Sequence, residues 1–205
     1  SWEKCESAML EYVVQTAVQK EGSNLDQIDC VLGGDLLNQL IAAHFAMRSI
    51  GRPFLGLYGA CSTMAESMLV GAALIDGGFV NKVVVAVSSH HETAERQYRF
   101  PTELGVQRPL FTQWTVTGAG AAVITAAGEG PKITAATIGR IIDMGIKDPN
   151  AMGPAMAPAA ADTLYQHFID TGRLPSYYDM IFTGDLGSVG KELTIQLLKE
   201  KGYDI

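Results

Sequence analysis

Patterns of metal-binding and disulfide-forming cysteines are missing from this sequence. Its 205 residues include three cysteines, Cys5, Cys30 and Cys61, and none of them forms the C-x-x-C spacing of a zinc or redox site. An odd number of cysteines suits a reducing compartment better than a disulfide framework. We therefore expect no metal ion, no cofactor and no disulfide bridge.

Positive charge is also scarce. There are 15 lysines and arginines against 22 aspartates and glutamates, which gives a net charge of −7 and a pI near 5.0. Nucleic acids and anionic membranes are bound by basic surfaces. The charge balance therefore argues against both as direct partners.

Long apolar runs and several well-known motifs are absent too. Glu66 and Asp76 interrupt the longest apolar stretch before it reaches the length of a membrane span, and the start of the chain lacks the pattern of a signal peptide. The stretch GAGAA, residues 118–122, lacks the third glycine of a dinucleotide site, and no G-x-S-x-G motif occurs. We expect a globular protein without a transmembrane segment.

What is present is an alternation of predicted helices and strands. Helical spacing of apolar residues predicts helices over 3–21 and 36–50, the second capped by Asp35, and a third that begins at Cys61. Short apolar runs predict strands, namely CVLGG, FLGLY, KVVVAVSS and GAGAAVITAA. This alternation predicts an α/β fold with a mainly parallel mixed sheet.

The rest of the chain is predicted in less detail. Residues 90–116 are polar, aromatic and broken by prolines, so we predict an irregular segment with a functional role. The C-terminal part predicts a strand and bend over 132–145, a helix over 157–171, a strand and turn over 178–187, and a final amphipathic helix.

Cys61 lies at the centre of the pattern, in the stretch GLYGACSTMAESM. The helix after it is apolar on every side except at Glu66, which predicts a buried helix. The amide groups at its start, at Cys61 and Ser62, lie at the positive end of the helix dipole and attract anions. One interpretation is therefore a reactive or anion-binding cysteine, and the other is a small buried hydrophobic residue.

An anion at this place needs further donors. Bidentate arginine is the preferred partner of a carboxylate, and the segment 90–116 contains the candidates Arg96, Arg99 and Arg108, with His90 and His91 as shorter donors. The alternative for each arginine is an ordinary solvated position. For Glu66 we expect a structural hydrogen bond or a contact between subunits.

An internal repeat is visible at an offset of 150 residues. IDCVLGGDL at 28–36 and YDMIFTGDL at 178–186 share Asp, Gly, Asp and Leu, and each follows a predicted helix that contains Ala-Met. We interpret this as a duplicated α/β half. Residues 1–150 would form the first half and residues 151–205 the start of the second.

A duplicated half with a cysteine at the head of its central helix resembles the thiolase-like superfamily of condensing enzymes. The segments GGDLLNQ, YGACSTMAESM, SSHHETAERQYRFPTE, TVTGAGAAV and AMAPAAADT resemble, more narrowly, the stage V sporulation protein AD family of spore-forming bacteria. The resemblance implies a layered thiolase-like fold that lacks its first strand, with Cys61 at the position of the family nucleophile.

The resemblance also implies a function. Members of this family are associated with dipicolinic acid, pyridine-2,6-dicarboxylate, and with its uptake into the developing spore. We expect binding of this dianion by Cys61, Ser62, His90, His91, Arg96 and Arg99. The implied setting is a homodimer, peripheral at the inner membrane of the forespore or spore, together with channel-forming proteins of the same operon.

Catalysis is expected to be weak or absent. Condensing enzymes of the superfamily add a His or Asn from the second half, but the repeat places Gly184 at that position and no histidine follows His167. Two alternatives stay open: an acyltransferase or condensing enzyme that uses Cys61, and a scaffold of a membrane channel that binds no ligand.

Overall fold

The computed structural model describes all residues from 1 to 205, and the chain divides into two compact units. Unit 1 consists of residues 1–105 and 115–132, and unit 2 consists of residues 106–114 and 133–205. The predicted boundary at residue 150 separates two copies of a repeat and stays a prediction. No helix combines the length and the apolar character that a membrane span requires.

Unit 1 is built on a four-stranded sheet. The strands are β1 (Cys30–Gly34), β2 (Phe54–Gly56), β3 (Lys82–Ser89) and β4 (Gly118–Thr125), in the spatial order β2-β1-β3-β4. The first three strands are parallel and β4 is antiparallel to β3. The predicted α/β class with a mainly parallel mixed sheet is therefore confirmed.

Helices cover both faces of this sheet. The helices of unit 1 are α1 (Trp2–Glu21), α2 (Ile41–Ile50), α3 (Thr63–Asp76) and α4 (His91–Tyr98), of which α1, α2 and α3 pack on the sheet. Leu10, Val14 and Ala46 of α1 and α2 pack on Val31 and Val84 at one face. Met64, Met68 and Leu74 of α3 pack on the opposite face, against side chains one residue out of step along the strands, as the two-residue period of a strand requires: Cys30, Leu32, Val83 and Val85.

Unit 2 contains two helices, α5 (Met152–Thr171) and α6 (Gly187–Glu200), which pack around Ala161, Phe168 and Leu198. Helix α5 begins five residues before the position that the sequence predicts. Pro154 does not prevent this, because the amide groups of a first helical turn have no acceptor within the helix.

The repeat has a clear structural counterpart. Helices α1 and α5 are each 20 residues long and begin at residues 2 and 152, and each ends at a left-handed glycine, Gly22 or Gly172. A short 3-10 turn follows in both copies, at Leu25–Gln27 and at Pro175–Tyr177. The offset of 150 residues is thus retained through helix, cap and turn.

Two predicted strands are wrong. Residues 132–145 and 178–187 contain no strand, and Ile138, Ile141, Met180 and Phe182 are largely exposed. A strand requires a hydrogen-bonded neighbour, and in these segments no other extended segment pairs with them.

The predicted helix over 36–50 also begins later, at Ile41. Gln39 and Leu40 both have positive φ angles, 59° and 52°, which interrupt the helix. Asp35 nevertheless serves the start of this helix, because its Oδ1 and Oδ2 accept the amides of Leu37 and Ala43 at 2.7 and 2.6 Å.

Candidate functional site

Sequence-predicted site residues gather at one edge of the unit 1 sheet. Since β1, β2 and β3 are parallel, their carboxyl ends share this edge, and Asp35, the turn with Cys61 and His90 follow them. The antiparallel β4 starts here as well, with Gly118 opposite Ser89. Ligands of open α/β sheets bind outside the carboxyl ends of the strands.

Cys61 lies in a 3-10 turn, Ala60–Ser62, that precedes α3. The expectation that Cys61 begins the α-helix is therefore corrected by two residues. Ala60 has a φ of 49°, a left-handed conformation that costs a residue with a side chain about 1–2 kcal/mol. The thiol is free and exposed.

Hydrogen bonds within the turn fix its shape. The amide and the hydroxyl of Ser62 both donate to the carbonyl of Gly59, at 3.0 and 2.8 Å. The Ser62 amide, predicted to bind an anion, is therefore already bonded inside the protein. No side chain caps the start of α3, and the amide of Thr63, the first residue of the helix, donates to the carbonyl of Ala60 in the preceding turn.

Glu66 places a carboxylate against the same turn. A Cβ atom at Gly59 would lie 2.6 Å from Oε2 of Glu66, so only glycine leaves room for this approach. Glu66 is half-buried. Its charge opposes any anion bound next to Cys61.

Helix α3 is buried on one face only, which corrects the expectation of a fully buried helix. Thr63, Ser67 and Gly71 are buried, and Gly71 packs on Val83 and Val85 of the sheet. The opposite face of α3 is not covered by any other element of unit 1 and keeps Ala65 and Ala73 exposed. Helix α3 is therefore apolar on more sides than the other elements of unit 1 cover.

Small residues leave space on the α3 side of the sheet edge. Gly118 and Gly120 of β4 alternate with Ala119 and share a face with Ala122 and Ile124, which pack under α3. A Cβ atom at Gly118 or Gly120 would meet no atom within 4 Å. A second opening, a cleft of about 540 Å³, lies at the ends of β1 and β2 and is lined by Asn38, Gln39, Leu40, His44 and Tyr58.

Segment 90–116 begins with a helix, α4, where the sequence predicts irregular structure. His90 precedes α4, and its Nδ1 is buried without a hydrogen-bond partner, while its ring stacks on Trp2 at 6.3 Å. His91 bonds through Nδ1 to the carbonyl of Thr115 at 2.8 Å and through its amide to Thr117 at 2.9 Å. His90 thus keeps a buried nitrogen without a hydrogen-bond partner, whereas His91 holds the chain that leads into β4.

The two predicted arginines both form ion pairs within the protein. Arg96 pairs with Glu3 and lies over the Trp2 ring at 5.8 Å. Arg99 binds both carboxylate oxygens of Glu95 at 2.9 and 3.2 Å, and both side chains of this pair are almost fully buried. Arg96 and His90 therefore both contact the Trp2 ring, whereas Arg99 forms a buried ion pair that holds the structure together.

Arg108, the third arginine candidate, belongs to unit 2, where its guanidinium lies over the Trp114 ring at 4.5 Å. The structure contains no cluster of three or more side chains that could hold a metal ion.

Two carboxylates are buried beneath the sheet edge: Asp35, which the sequence predicts only as a helix cap, and Glu6, which the sequence-based predictions do not include. Glu6 is completely buried and accepts hydrogen bonds from Ser88 at 3.1 Å and Thr93 at 3.2 Å. Burial, together with the nearby charge of Asp35, raises the pKa of Glu6 to about 7. Burial also raises the pKa of Asp35. The sequence does contain a sign of this, because Glu6 is in helical register with the core residues Leu10 and Val14.

Comparison with known proteins places this geometry in a family. The family model described as "Stage V sporulation protein AD" matches residues 1–205. Stage V sporulation protein AD of Bacillus subtilis (strain 168) is 49% identical over 205 residues, and the chain spans 61% of the length of that relative.

Solved structures share the fold at low sequence identity. An OleA variant of Xanthomonas campestris bound with cerulenin is 13% identical with a TM-score of 0.73, over 97% of this chain and 63% of the other. The 3-oxoacyl-[acyl-carrier-protein] synthase III of Aquifex aeolicus is 14% identical with a TM-score of 0.66, over 95% of this chain and 65% of the other. The family model and the relative therefore show that the chain belongs to the stage V sporulation protein AD family, and the solved structures show that its fold is thiolase-like.

Proposed function

We propose that this chain contributes a binding site for dipicolinic acid, used in the uptake of this dianion into the developing spore. The observation that carries the proposal is the exposed, uncapped start of α3 at the carboxyl edge of the sheet, on the same face as the open glycines of β4. The choice of dipicolinate among small anions comes from the resemblance to the family.

Donors for two carboxylates lie around this edge. The start of α3 offers the positive end of its helix dipole for one carboxylate, next to the exposed Cys61 and Ser62. His90 offers an imidazole whose Nδ1 has no partner in the protein. Arg96, half-exposed beside Trp2, supplies positive charge, although it shares that charge with Glu3.

The roles of the remaining predicted residues change in this proposal. Arg99 and His91 support the site and do not bind the ligand, since Glu95 pairs with Arg99 and its Oε1 also accepts the amide of Thr115. Glu66 lowers the affinity by repulsion. The proposed setting is a homodimer at the inner membrane of the forespore, together with the channel-forming proteins of the operon.

Calorimetric titration of dipicolinate tests this proposal. The 205-residue chain and the full-length Bacillus subtilis relative are titrated in parallel, with pyridine-2-carboxylate as the ligand that lacks one charge. Because a hydrogen bond to a charged group contributes about 1.5–3 kcal/mol, we expect His90→Gln and Arg96→Ala to weaken binding roughly tenfold. We expect Glu66→Gln to strengthen it.

Matched variants make this result specific. Arg140→Ala removes an exposed arginine of unit 2, paired with Asp162, and should leave binding unchanged. Cys61→Trp fills the space before α3 and should abolish binding. The proposal fails if neither protein binds dipicolinate saturably, or if Arg96→Ala and His90→Gln behave like Arg140→Ala.

A condensing enzyme that uses Cys61 is the second candidate. The exposed free thiol, directly after the left-handed Ala60 and before α3, favours it, as does the likeness of fold to condensing enzymes. Incubation with acyl-CoA and mass spectrometry of the intact protein tests it. Acylation that is lost in Cys61→Ala and followed by turnover supports an enzyme, whereas dipicolinate binding without acylation supports the binding protein.

A further inference from the structure

Three polar groups meet beneath the turn that joins β3 to α4: the Glu6 carboxyl, the Thr93 hydroxyl and the His90 carbonyl. Oγ1 of Thr93 lies 3.2 Å from Oε2 of Glu6 and 3.0 Å from the carbonyl oxygen of His90. The amide of Ala94 donates to the same carbonyl at 3.0 Å. Glu6 and Thr93 are shielded from water, with exposures of 0% and 1%.

The hydroxyl of Thr93 has a single hydrogen, so it donates to only one of its two acceptors at a time. When Glu6 is ionised, its oxygens are acceptors alone, and they attract this hydrogen more strongly than a neutral carbonyl does. When Glu6 is protonated, its own O–H group donates to Oγ1 of Thr93. The Thr93 hydrogen is then released to the carbonyl of His90.

We propose that Glu6 is a proton-dependent positioning residue, whose protonation turns the Thr93 hydroxyl toward the His90 carbonyl and tightens the turn that carries His90. The proton comes from solvent and binds at Oε2, and no covalent bond other than this O–H bond changes. The consequence for ligand binding rests on the proposed function, because it requires His90 as a ligand group. The relay itself requires only the contacts around Glu6.

Charged and titratable groups around Glu6 place this change near neutrality. Burial raises its pKa most, followed by the charge of Asp35 beyond β1, and Ser88 and Thr93 oppose the rise with hydrogen bonds. Glu3 on α1 adds a smaller repulsion, and it is itself paired with Arg96 of α4. His44 of α2 acts on Asp35. The resulting pKa of about 7 means that a modest acidification protonates Glu6.

Hydrogen exchange of the Ala94 amide measures the relay without any ligand. The protection factor, which is the exchange rate relative to an unstructured peptide at the same pH, is followed by NMR from pH 5.5 to 8.5. The carboxyl carbon of Glu6 is followed in the same samples. We expect the Ala94 amide to be about fivefold better protected on the acidic side, a change that one additional hydrogen bond can produce. The pH midpoint of this change should equal the midpoint of the Glu6 titration.

Variants separate the relay from a general effect of pH. Glu6→Gln supplies a permanent donor to Thr93, so Ala94 should remain protected at every pH. Thr93→Val removes the hydroxyl, so Glu6 should titrate while Ala94 no longer responds, and Thr93→Ser should restore the response. Glu11→Gln, on the same helix but bonded to Gln15, should leave the response intact.

The relay is overturned if Glu6 titrates while the protection of Ala94 stays constant, or if Thr93→Val retains the response. It is also overturned if Glu6 stays ionised down to pH 5.5. If the protection of the Ala94 amide depends on pH but dipicolinate does not bind, the proposed function is overturned and the relay stands. If dipicolinate binds but the protection of the Ala94 amide stays constant, the relay is overturned and the proposed function stands.

Discussion

Two copies of the same sequence pattern fold to different extents in this protein. In the first copy, α1 leads through Gly22 and a 3-10 turn into β1, which is paired on both sides. In the second copy, α5, Gly172 and the corresponding turn are all formed, yet no strand follows. Helix, cap and turn depend on neighbours in the sequence, whereas a strand depends on partners from elsewhere in the chain.

The two copies also share an aspartate near the end of the repeated block, Asp35 in the first and Asp185 in the second. Oδ1 of Asp35 accepts the amide of Leu37 at 2.7 Å, and Oδ1 of Asp185 accepts the amide of Gly187 at 3.0 Å. What differs is the burial, because Asp35 is buried and Asp185 is exposed. The same local turn thus becomes part of a core only where a sheet covers it.

The largest expected effect tests the strand itself, by exchanging Gly33 and its counterpart Thr183. A Cβ atom at Gly33, where φ is 150°, would collide with the backbone of Ala86 on β3. We expect Gly33→Thr to cost roughly 4 kcal/mol or more, and Thr183→Gly about 1 kcal/mol. Urea unfolding, monitored by hydrogen exchange of the amides in each unit, measures the free-energy cost of both substitutions. Similar costs in the two copies would break the comparison.

A second prediction uses Glu6, whose counterpart in the second copy is Met156. Because the pKa of Glu6 is raised from 4.5 to about 7 by folding, its stabilising contribution is complete below pH 4.5 and lost above pH 7. We expect unit 1 to lose about 3 kcal/mol between these limits, and Glu6→Met to abolish this loss. Unfolding free energies of both proteins at pH 5 and pH 8 test it, and an equal pH dependence contradicts it.

A third prediction sharpens the difference in burial between Asp35 and Asp185. Both oxygens of Asp35 accept amides, and an asparagine would point its NH₂ group at one of these donors. We expect Asp35→Asn to cost about 2 kcal/mol and Asp185→Asn about 0.5 kcal/mol. Denaturant titration of the two variants provides the measurement, and a larger cost at Asp185 would be the opposite of what the structure implies.

The smallest effect is expected at exposed ion pairs, where the two units should not differ. Arg96 pairs with Glu3 in unit 1 and Arg140 with Asp162 in unit 2, and the side chains of these arginines are half-exposed and largely exposed, respectively. We expect neither Arg96→Ala nor Arg140→Ala to change the unfolding free energy measurably. A clear loss for Arg96→Ala alone would show that the Trp2 contact stabilises unit 1.

Much of unit 1 could be predicted from the sequence because its strands are short apolar runs that become buried. Strand β3 is a β-branched run, and burial on both faces makes such a run recognisable. Helix α4 was missed because HETAERQY has few apolar residues. Its stability comes from contacts distant in sequence, such as the hydrogen bond from buried Thr93 to Glu6 and the one that the Thr115 amide donates to Glu95.

The candidate site was predictable in the same uneven way. The position of Cys61 follows from a strand, a glycine turn and a helix, all of which are local. That Arg99 faces a buried Glu95 could be suspected from their spacing of four residues, but its burial could not. The failure to predict strands over 178–187 has the same origin, since an apolar run does not show whether a partner strand exists.

The strand order also means that β1 must wait during synthesis for one of its partner strands. Strand β1 leaves the ribosome first, yet its inner neighbour β3 ends at Ser89 and lies at the far side of two helices in the sequence. At about 5–20 residues per second, the central strand waits roughly 3 to 11 s for this partner. During that interval Val31 and Leu32 are exposed, and β1 can pair with the exposed strand of a second nascent chain.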